Sequence, residues 1–308
     1  MTSTASTPAL RGIWPAMLTP LRADLSIDHE RFAAHARALI GAGCAGVTPF
    51  GTTGEGPSFS LDERRQAVDA LVAGGVPAAK ILVSTSCAAL PETLALTRHA
   101  LAIGAWGCLM MPPFFLKGVS DQGVIDAYRQ VIDGAADPRL RILLYHIPQV
   151  SGVGLSHEVI ATLQRLYPQA IVGIKDSGCD RAHSVALAGA FMPPLGVHVG
   201  NEPDLPELAR LGSAGAVSGL ANFLPRLVDR LVRQPDEAAT ARDLERVKTL
   251  LALLGGYSLT PALKGIMAVQ TGDAHWLRVR APLVALDDAR FRSLEREIRA
   301  FGIDPRTD

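Results

Sequence analysis

The sequence predicts an α/β fold, a (β/α)8 barrel with a C-terminal helical extension. Short apolar or β-branched runs alternate with amphipathic stretches at regular spacing, the pattern of repeated strand–helix units. The runs are apolar at nearly every position, as strands buried on both faces of a parallel sheet are. Eight such units fit into one chain of 308 residues. At ~150 residues per domain that length suggests two domains, yet an α/β barrel commonly spans ~250 residues as one.

In order, the expected strands are GIWPAMLTP (12–20), AGVTPF (45–50), KILVSTS (80–86), GCLMMP (107–112), RILLYHIP (141–148), IVGIKDS (171–177), GVHVGNE (196–202) and AGAVSGLAN (214–222). Between them, HERFAAHARALI, LDERRQAVDALVA, PETLALTRHALAI and DQGVIDAYRQVIDG carry apolar residues near i, i+3, i+4 and i+7, one face of a helix. A weak repeat joins helix ends to strand starts: Gly43-Cys44-Ala45-Gly46, Gly104-Ala105-Trp106-Gly107 and Gly212-Ser213-Ala214-Gly215. Glycine there supplies a left-handed helix cap and a tight αβ turn. Beyond residue 233 the strand signals stop, and helical segments follow near 236–253, 260–271 and 282–301. The expected organisation is a disordered or extended tail over 1–11, a barrel over 12–233 and a helical appendage over 234–308, with no low-complexity linker between them.

Composition narrows the function. Thirty basic residues balance thirty acidic ones, so the basic excess or stripe of a nucleic-acid binder is missing. A hydrophobic content of 48% argues against disorder. The longest nearly apolar run, IGAWGCLMMPPFFL, falls short of the ~18 residues of a membrane span and holds two prolines. The start, MTSTASTPAL, lacks the basic and apolar regions of a secretion signal. Cys44, Cys87, Cys108 and Cys179 are far apart, as expected of reduced thiols in a cytoplasmic chain.

Four features carry chemistry. Gly41-Ala42-Gly43-Cys44-Ala45-Gly46 has dinucleotide-fingerprint spacing, but it runs helix-to-strand, so it reads as a turn. Phe50-Gly51-Thr52-Thr53-Gly54-Glu55-Gly56 follows a strand and precedes a helix, at the rim where barrel active sites are built. Its glycines admit a close ligand, and its hydroxyls and amides form a small anion cradle. Lys175 lies late in an apolar strand, where an amine is costly unless paired, exposed or functional. An apolar wall favours the neutral amine, the form that attacks a carbonyl. Tyr145 ends the preceding strand, where a phenol packs or relays protons. The histidines, including His146 and His198, show no H-x-H or H-E-x-x-H cluster, so no metal site is expected.

From about Gly12 to at least Asn222 the sequence resembles the dihydrodipicolinate synthase / N-acetylneuraminate lyase family of pyruvate-dependent class I aldolases. The likeness rests on G-T-T-G-E at 51–55, Y-H-I-P at 145–148 where the family has Y-N-x-P, and G-I-K-D-S at 173–177, in the right order on the right strands. It implies a cofactor-free enzyme in which Lys175 forms a Schiff base with pyruvate or another 2-oxo acid and Tyr145 gives and takes protons. It further implies that Thr52 passes protons to Tyr145, that Thr53 and loop amides such as Gly54 hold the carboxylate, and that the backbone near Val217 touches pyruvate. A homotetramer is the assembly it implies.

Three departures separate the chain from the synthases themselves. Their arginine two residues past the Y-N-x-P proline, which grips the aldehyde's carboxylate, is Val150 here, after Gln149. Arg181 is the first candidate for a substitute cation. The tyrosine lent to a neighbouring subunit falls in Pro113-Phe114-Phe115, without a hydroxyl, and Gly56, Pro57 and Phe114 replace polar residues of the lysine feedback site. The sialic acid lyases differ too, with G-S-T-G-E. The expected function is a lyase acting on a 2-keto-3-deoxy sugar acid or related substrate. A 4-hydroxy-tetrahydrodipicolinate synthase and a non-catalytic metabolite-binding barrel are the alternatives.

Overall fold

The computed structural model describes residues 10–304 and 308. Residues 1–9 of the expected N-terminal tail lie outside the described residues, while Leu10 is buried among side chains inside the barrel. Seven parallel strands, β1 (Gly12–Ile13), β2 (Leu82–Ser84), β3 (Gly107–Met110), β4 (Ile142–His146), β5 (Ile171–Asp176), β6 (Gly196–Val199) and β7 (Gly215–Ala216), pair in the order β1-β7-β6-β5-β4-β3-β2. The 45–50 segment closes the ring between β1 and β2 through single parallel bridges, Thr48 to Ala16 and Val47 to Ile81. The expected strand is therefore present only as bridges. Pro49, which follows the bridging residues Val47 and Thr48, and Pro15, which precedes Ala16, have no N–H to donate to a ladder.

Helices cover the outside of the ring. His29–Gly41, Leu61–Ala73, Leu90–Ala102 and Asp121–Ala135 coincide with the amphipathic stretches, and His157–Leu166, Arg181–Phe191, Leu205–Arg210 and Pro225–Arg233 complete the shell. Local chemistry fixes the boundaries. Asp28 accepts from the Arg31 N–H at one N-terminus, and Ser60 and Glu63 form a reciprocal capping box at another. Gly43, Gly104 and Gly212 take φ of +104°, +74° and +94°, the left-handed turn expected of the repeat. Helices Ala238–Leu254, Leu259–Thr271 and Asp288–Phe301 follow the barrel. No single helix among the described residues is long and apolar enough to cross a membrane.

Strand alternation sorts the apolar side chains into two separate cores. The larger lies between sheet and helices. The smaller fills the barrel interior with Leu10, Trp14, Leu82, Trp106, Leu109 and Leu143 below, and Tyr145 and Val217 above.

Candidate active site

Tyr145 and Lys175 are direct register partners on β4 and β5. In a parallel pair, register partners project to the same face, here the inside of the barrel near its C-terminal rim. Both are buried, Tyr145 at 3% and Lys175 at 5% exposure. The Lys175 Nζ stands 4.1 Å from the Tyr145 ring centroid, against the face of the phenol. Among the described residues no carboxylate lies within 4 Å of this amine. An amine so placed can attack a carbonyl carbon when neutral.

The 50–56 loop supplies the facing wall. Thr52 Oγ1 lies 3.4 Å from the Tyr145 hydroxyl, a long contact of the kind that tightens once substrate is bound. Close packing dictates the loop's course: a Cβ on Gly54 would meet the Met17 carbonyl at 2.5 Å, and one on Gly56 the Phe50 carbonyl at 2.0 Å. Phe50 and Glu55 accept positive φ, +61° and +59°, to turn the chain back on itself. The Thr19 hydroxyl donates to the Gly54 carbonyl at 2.7 Å, tying the loop to the β1 side of the ring. Thr53 reaches the turn after β7, where a Cβ on Gly219 would stand 3.5 Å from its Oγ1. Val217 is buried in the same inner cluster, and its N–H donates to the Val199 carbonyl at 3.1 Å. The structure thus brings Lys175, Tyr145, Thr52, Thr53, Gly54 and Val217 to one end of the barrel.

Below them, His198 is the register partner of Lys175 on β6 and is fully buried. Burial pushes its imidazole down to about 4, with Arg11 and Lys175 adding to the fall and the nearby Gly196 and Leu10 backbone opposing it. Neither ring nitrogen makes a well-directed hydrogen bond.

Behind the site is a cluster that sequence spacing did not reveal. His146 and Asp176 each follow an inward residue by one position, so they point outward. There they meet His183 of the Arg181–Phe191 helix. One ligand-type atom from each of the three lies within 4.8 Å of the others, and the two imidazoles stack at 4.4 Å. The donor set argues against a metal. His146 Nδ1 accepts the Leu155 N–H at 3.0 Å, which places the neutral ring's proton on Nε2 and leaves that nitrogen no lone pair. Metal-bound histidines donate with their second nitrogen instead. Asp176 is already engaged, accepting from the Gly178 N–H at 2.9 Å and the Ser184 hydroxyl at 2.7 Å. Burial holds His146 below the usual histidine range; Asp176 pulls it upward and His183 pushes it down.

The rim beyond the amine is apolar where the synthases carry their arginine. Val150 is 53% and Phe115 75% exposed, and the Gln149 side-chain amide donates to the Ser177 carbonyl at 2.5 Å. Arg181 is exposed and held in an ion pair with Glu207, so it does not fill the expected role of a substitute cation. The cation beside this turn is Lys117, whose ammonium donates to the carbonyls of Phe114 and, at 2.6 Å, Ser151.

Comparison with known proteins places this geometry. An uncharacterized DapA-like lyase from Chloroflexus aurantiacus is 34% identical over 289 residues, 92% of this chain and 94% of that protein. Dihydrodipicolinate synthase from Agrobacterium tumefaciens superposes with a TM-score of 0.88 at 33% identity, covering 94% of this chain and 99% of that one. A prophage protein of the dihydrodipicolinic acid synthase family from E. coli K12, solved in complex with pyruvate, superposes with a TM-score of 0.87 at 25% identity, covering 96% and 99%. Members of this fold family are lyases and aldolases, which sets aside the non-catalytic barrel. The sequence profile of the dihydrodipicolinate synthetase family matches residues 9–301, and the chain belongs to that family.

Proposed function

We propose that this protein makes or breaks a 2-oxo acid, a 2-keto-3-deoxy sugar acid or a related compound, through an imine on Lys175. The observation that carries the reading is the buried Lys175 amine lying against the Tyr145 phenol, with Thr52 at the phenol's oxygen. The pyruvate complex of the E. coli relative supports pyruvate as the 2-oxo acid. The amine attacks the ketone, Tyr145 protonates the carbinolamine oxygen, and water leaves. In the cleavage direction Tyr145 takes the proton of the C4 hydroxyl. The C3–C4 bond breaks, its electrons flow into the iminium as an enamine, and the aldehyde departs. Protonation of the enamine at C3 and hydrolysis release pyruvate and restore the amine. Thr53 and the Gly54 amide hold the carboxylate throughout. No metal or organic cofactor enters this sequence, and the family's homotetramer is the assembly in which we place it.

Borohydride reduction in the presence of pyruvate is the first test: a mass increase mapped to Lys175 supports the imine, and an unmodified Lys175 refutes it. A screen of 2-keto-3-deoxy acids for pyruvate release then identifies the partner.

The Agrobacterium relative's name favours a second reading, 4-hydroxy-tetrahydrodipicolinate synthase. Aspartate semialdehyde must bury a carboxylate at the rim, where charge-assisted hydrogen bonds are worth ~1.5–3 kcal/mol each. Val150 offers none, so kcat/KM for that aldehyde should fall ~10²-fold below the ~10⁵ M⁻¹s⁻¹ ordinary for an enzyme on its own substrate. Millimolar lysine should leave the rate unchanged. A value near the ordinary one, lost in Lys117→Gln, would make this chain a synthase with a relocated clamp.

A further inference from the structure

The G-T-T-G-E loop is held from a distance. Glu55 and Lys264 are both at 0% side-chain exposure and form an ion pair, joining the loop after the second strand segment to the helix Leu259–Thr271. The Glu55 carboxylate also accepts the Arg280 N–H at 2.9 Å, and the Lys264 ammonium donates to the Arg278 carbonyl at 2.7 Å. Burial draws the Lys264 ammonium below the usual lysine range and the Glu55 carboxylate holds it up. The segment bearing Arg278 and Arg280 crosses the same region. Arg280 lies over the Phe59 ring at 4.4 Å, donates to the Ser58 carbonyl at 3.0 Å and pairs with Glu63, while Arg278 donates to the Leu21 carbonyl at 3.2 Å.

A buried ion pair is a weak source of stability, because desolvation of the two charges roughly cancels their attraction, and an apolar pair of the same volume often serves the fold as well. Its distinctive property is direction, since two charges in an apolar setting tolerate few arrangements. Here the arrangement fixes the residue next to Gly54 and two past Thr53. We infer that the Glu55–Lys264 pair makes Lys264, in the C-terminal helices, a positioning residue for 2-oxo acid binding, setting the height at which Thr53 and the Gly54 amide meet the carboxylate. This rests on the Lys175 imine reading given above.

The test is the rate of borohydride trapping of pyruvate on Lys175 as a function of pyruvate concentration, measured on the full chain beside a thermal melt. Lys264→Met should raise the half-saturating pyruvate concentration at least tenfold, lower the maximal trapping rate less, and lower the melting temperature. The double variant Glu55→Gln/Lys264→Met removes both charges. It should regain most of the melting temperature while its half-saturating concentration stays at least fivefold raised, a split that loss of stability alone does not produce. Where Lys264→Met does not fold, Glu55→Gln, which keeps the side-chain shape and one acceptor oxygen, should raise half-saturation at least threefold. Recovery of both quantities in the double variant, or half-saturation within twofold of wild type in any folded variant, overturns the inference. Wild-type protein that is not trapped on Lys175 overturns the imine reading and this inference with it, a result distinct from the others.

Discussion

The two ends of the barrel interior are built from the same strands and obey opposite rules. At the N-terminal end Trp14 and Trp106 pack with ring centroids 5.9 Å apart, in one buried cluster with Leu10. Gly46 has no room for a side chain there, since a Cβ would meet the Trp14 ring at 2.2 Å. At the C-terminal end the inward positions are Tyr145 and Lys175, and the facing loop contributes hydroxyls. One or two steps along a strand turn an apolar plug into a buried amine. The difference teaches that the floor stabilises the barrel, while the rim gives up burial energy to hold groups that react. Substitutions at the rim should therefore change rate and spare stability, and those deeper inside should do the reverse.

The largest effect is expected at Lys175. Without its amine no imine forms, so Lys175→Ala should abolish turnover and borohydride trapping. The melt should stay close to wild type, because the amine packs against the Tyr145 ring and its loss leaves no carboxylate unpaired among the described residues. Steady-state rates and circular dichroism melts, run side by side, decide the matter. Activity within tenfold of wild type would end the Schiff-base reading, and a collapsed fold would erase the contrast between rim and floor.

Tyr145→Phe comes next. Removing the hydroxyl while keeping the ring should lower turnover roughly 10²–10⁴-fold, the usual weight of a general acid–base group. Trapping should slow as well, since carbinolamine dehydration needs the same proton. The ring that backs Lys175 remains, so the melting temperature should barely move. Unchanged kinetics would return Tyr145 to a packing role.

The sequence exposes the rim more readily than what supports it. Lys175 stands out because its neighbours along the chain, Val172, Gly173 and Ile174, make an amine incongruous. The glycine turns are equally local, and so the barrel is legible from its periodicity. The second strand is overestimated because a proline's missing N–H weakens a ladder that its apolar neighbours would otherwise build. The Glu55–Lys264 pair and the His146–Asp176–His183 cluster escape notice because their members are brought together only by tertiary folding. The one available hint is parity: His146 and Asp176 occupy matching positions one step beyond Tyr145 and Lys175, so they must share the outer face. Arg181 shows the opposite error, since the sequence presents a cation and gives no sign that Glu207 neutralises it.

The smallest effect is expected from His198, which stands inside the barrel beneath the amine and tests the comparison by pH. Its folded pKa, about 4, lies below the ordinary histidine value of 6.5, chiefly through burial. As pH falls the unfolded chain therefore binds a proton before the folded one does, and stability declines between pH 6.5 and 4 while remaining flat above. By about pH 4.5 the loss from this group is ~2–3 kcal/mol. His35, also pushed down to about 4 by burial although Asn222 accepts from its Nε2, adds a similar amount. Replacing His198 by leucine, in keeping with Leu82, Leu109 and Leu143 of the inner cluster, should remove its share and leave that of His35. Denaturant unfolding at pH 7 and about 4.5 should then show His198→Leu losing ~2–3 kcal/mol less stability than wild type. Turnover at pH 7 should remain within about threefold, far below the loss assigned to a rim group. Equal pH slopes in the two proteins would mean that water reaches the imidazole, and the interior beneath Lys175 would belong with the polar rim.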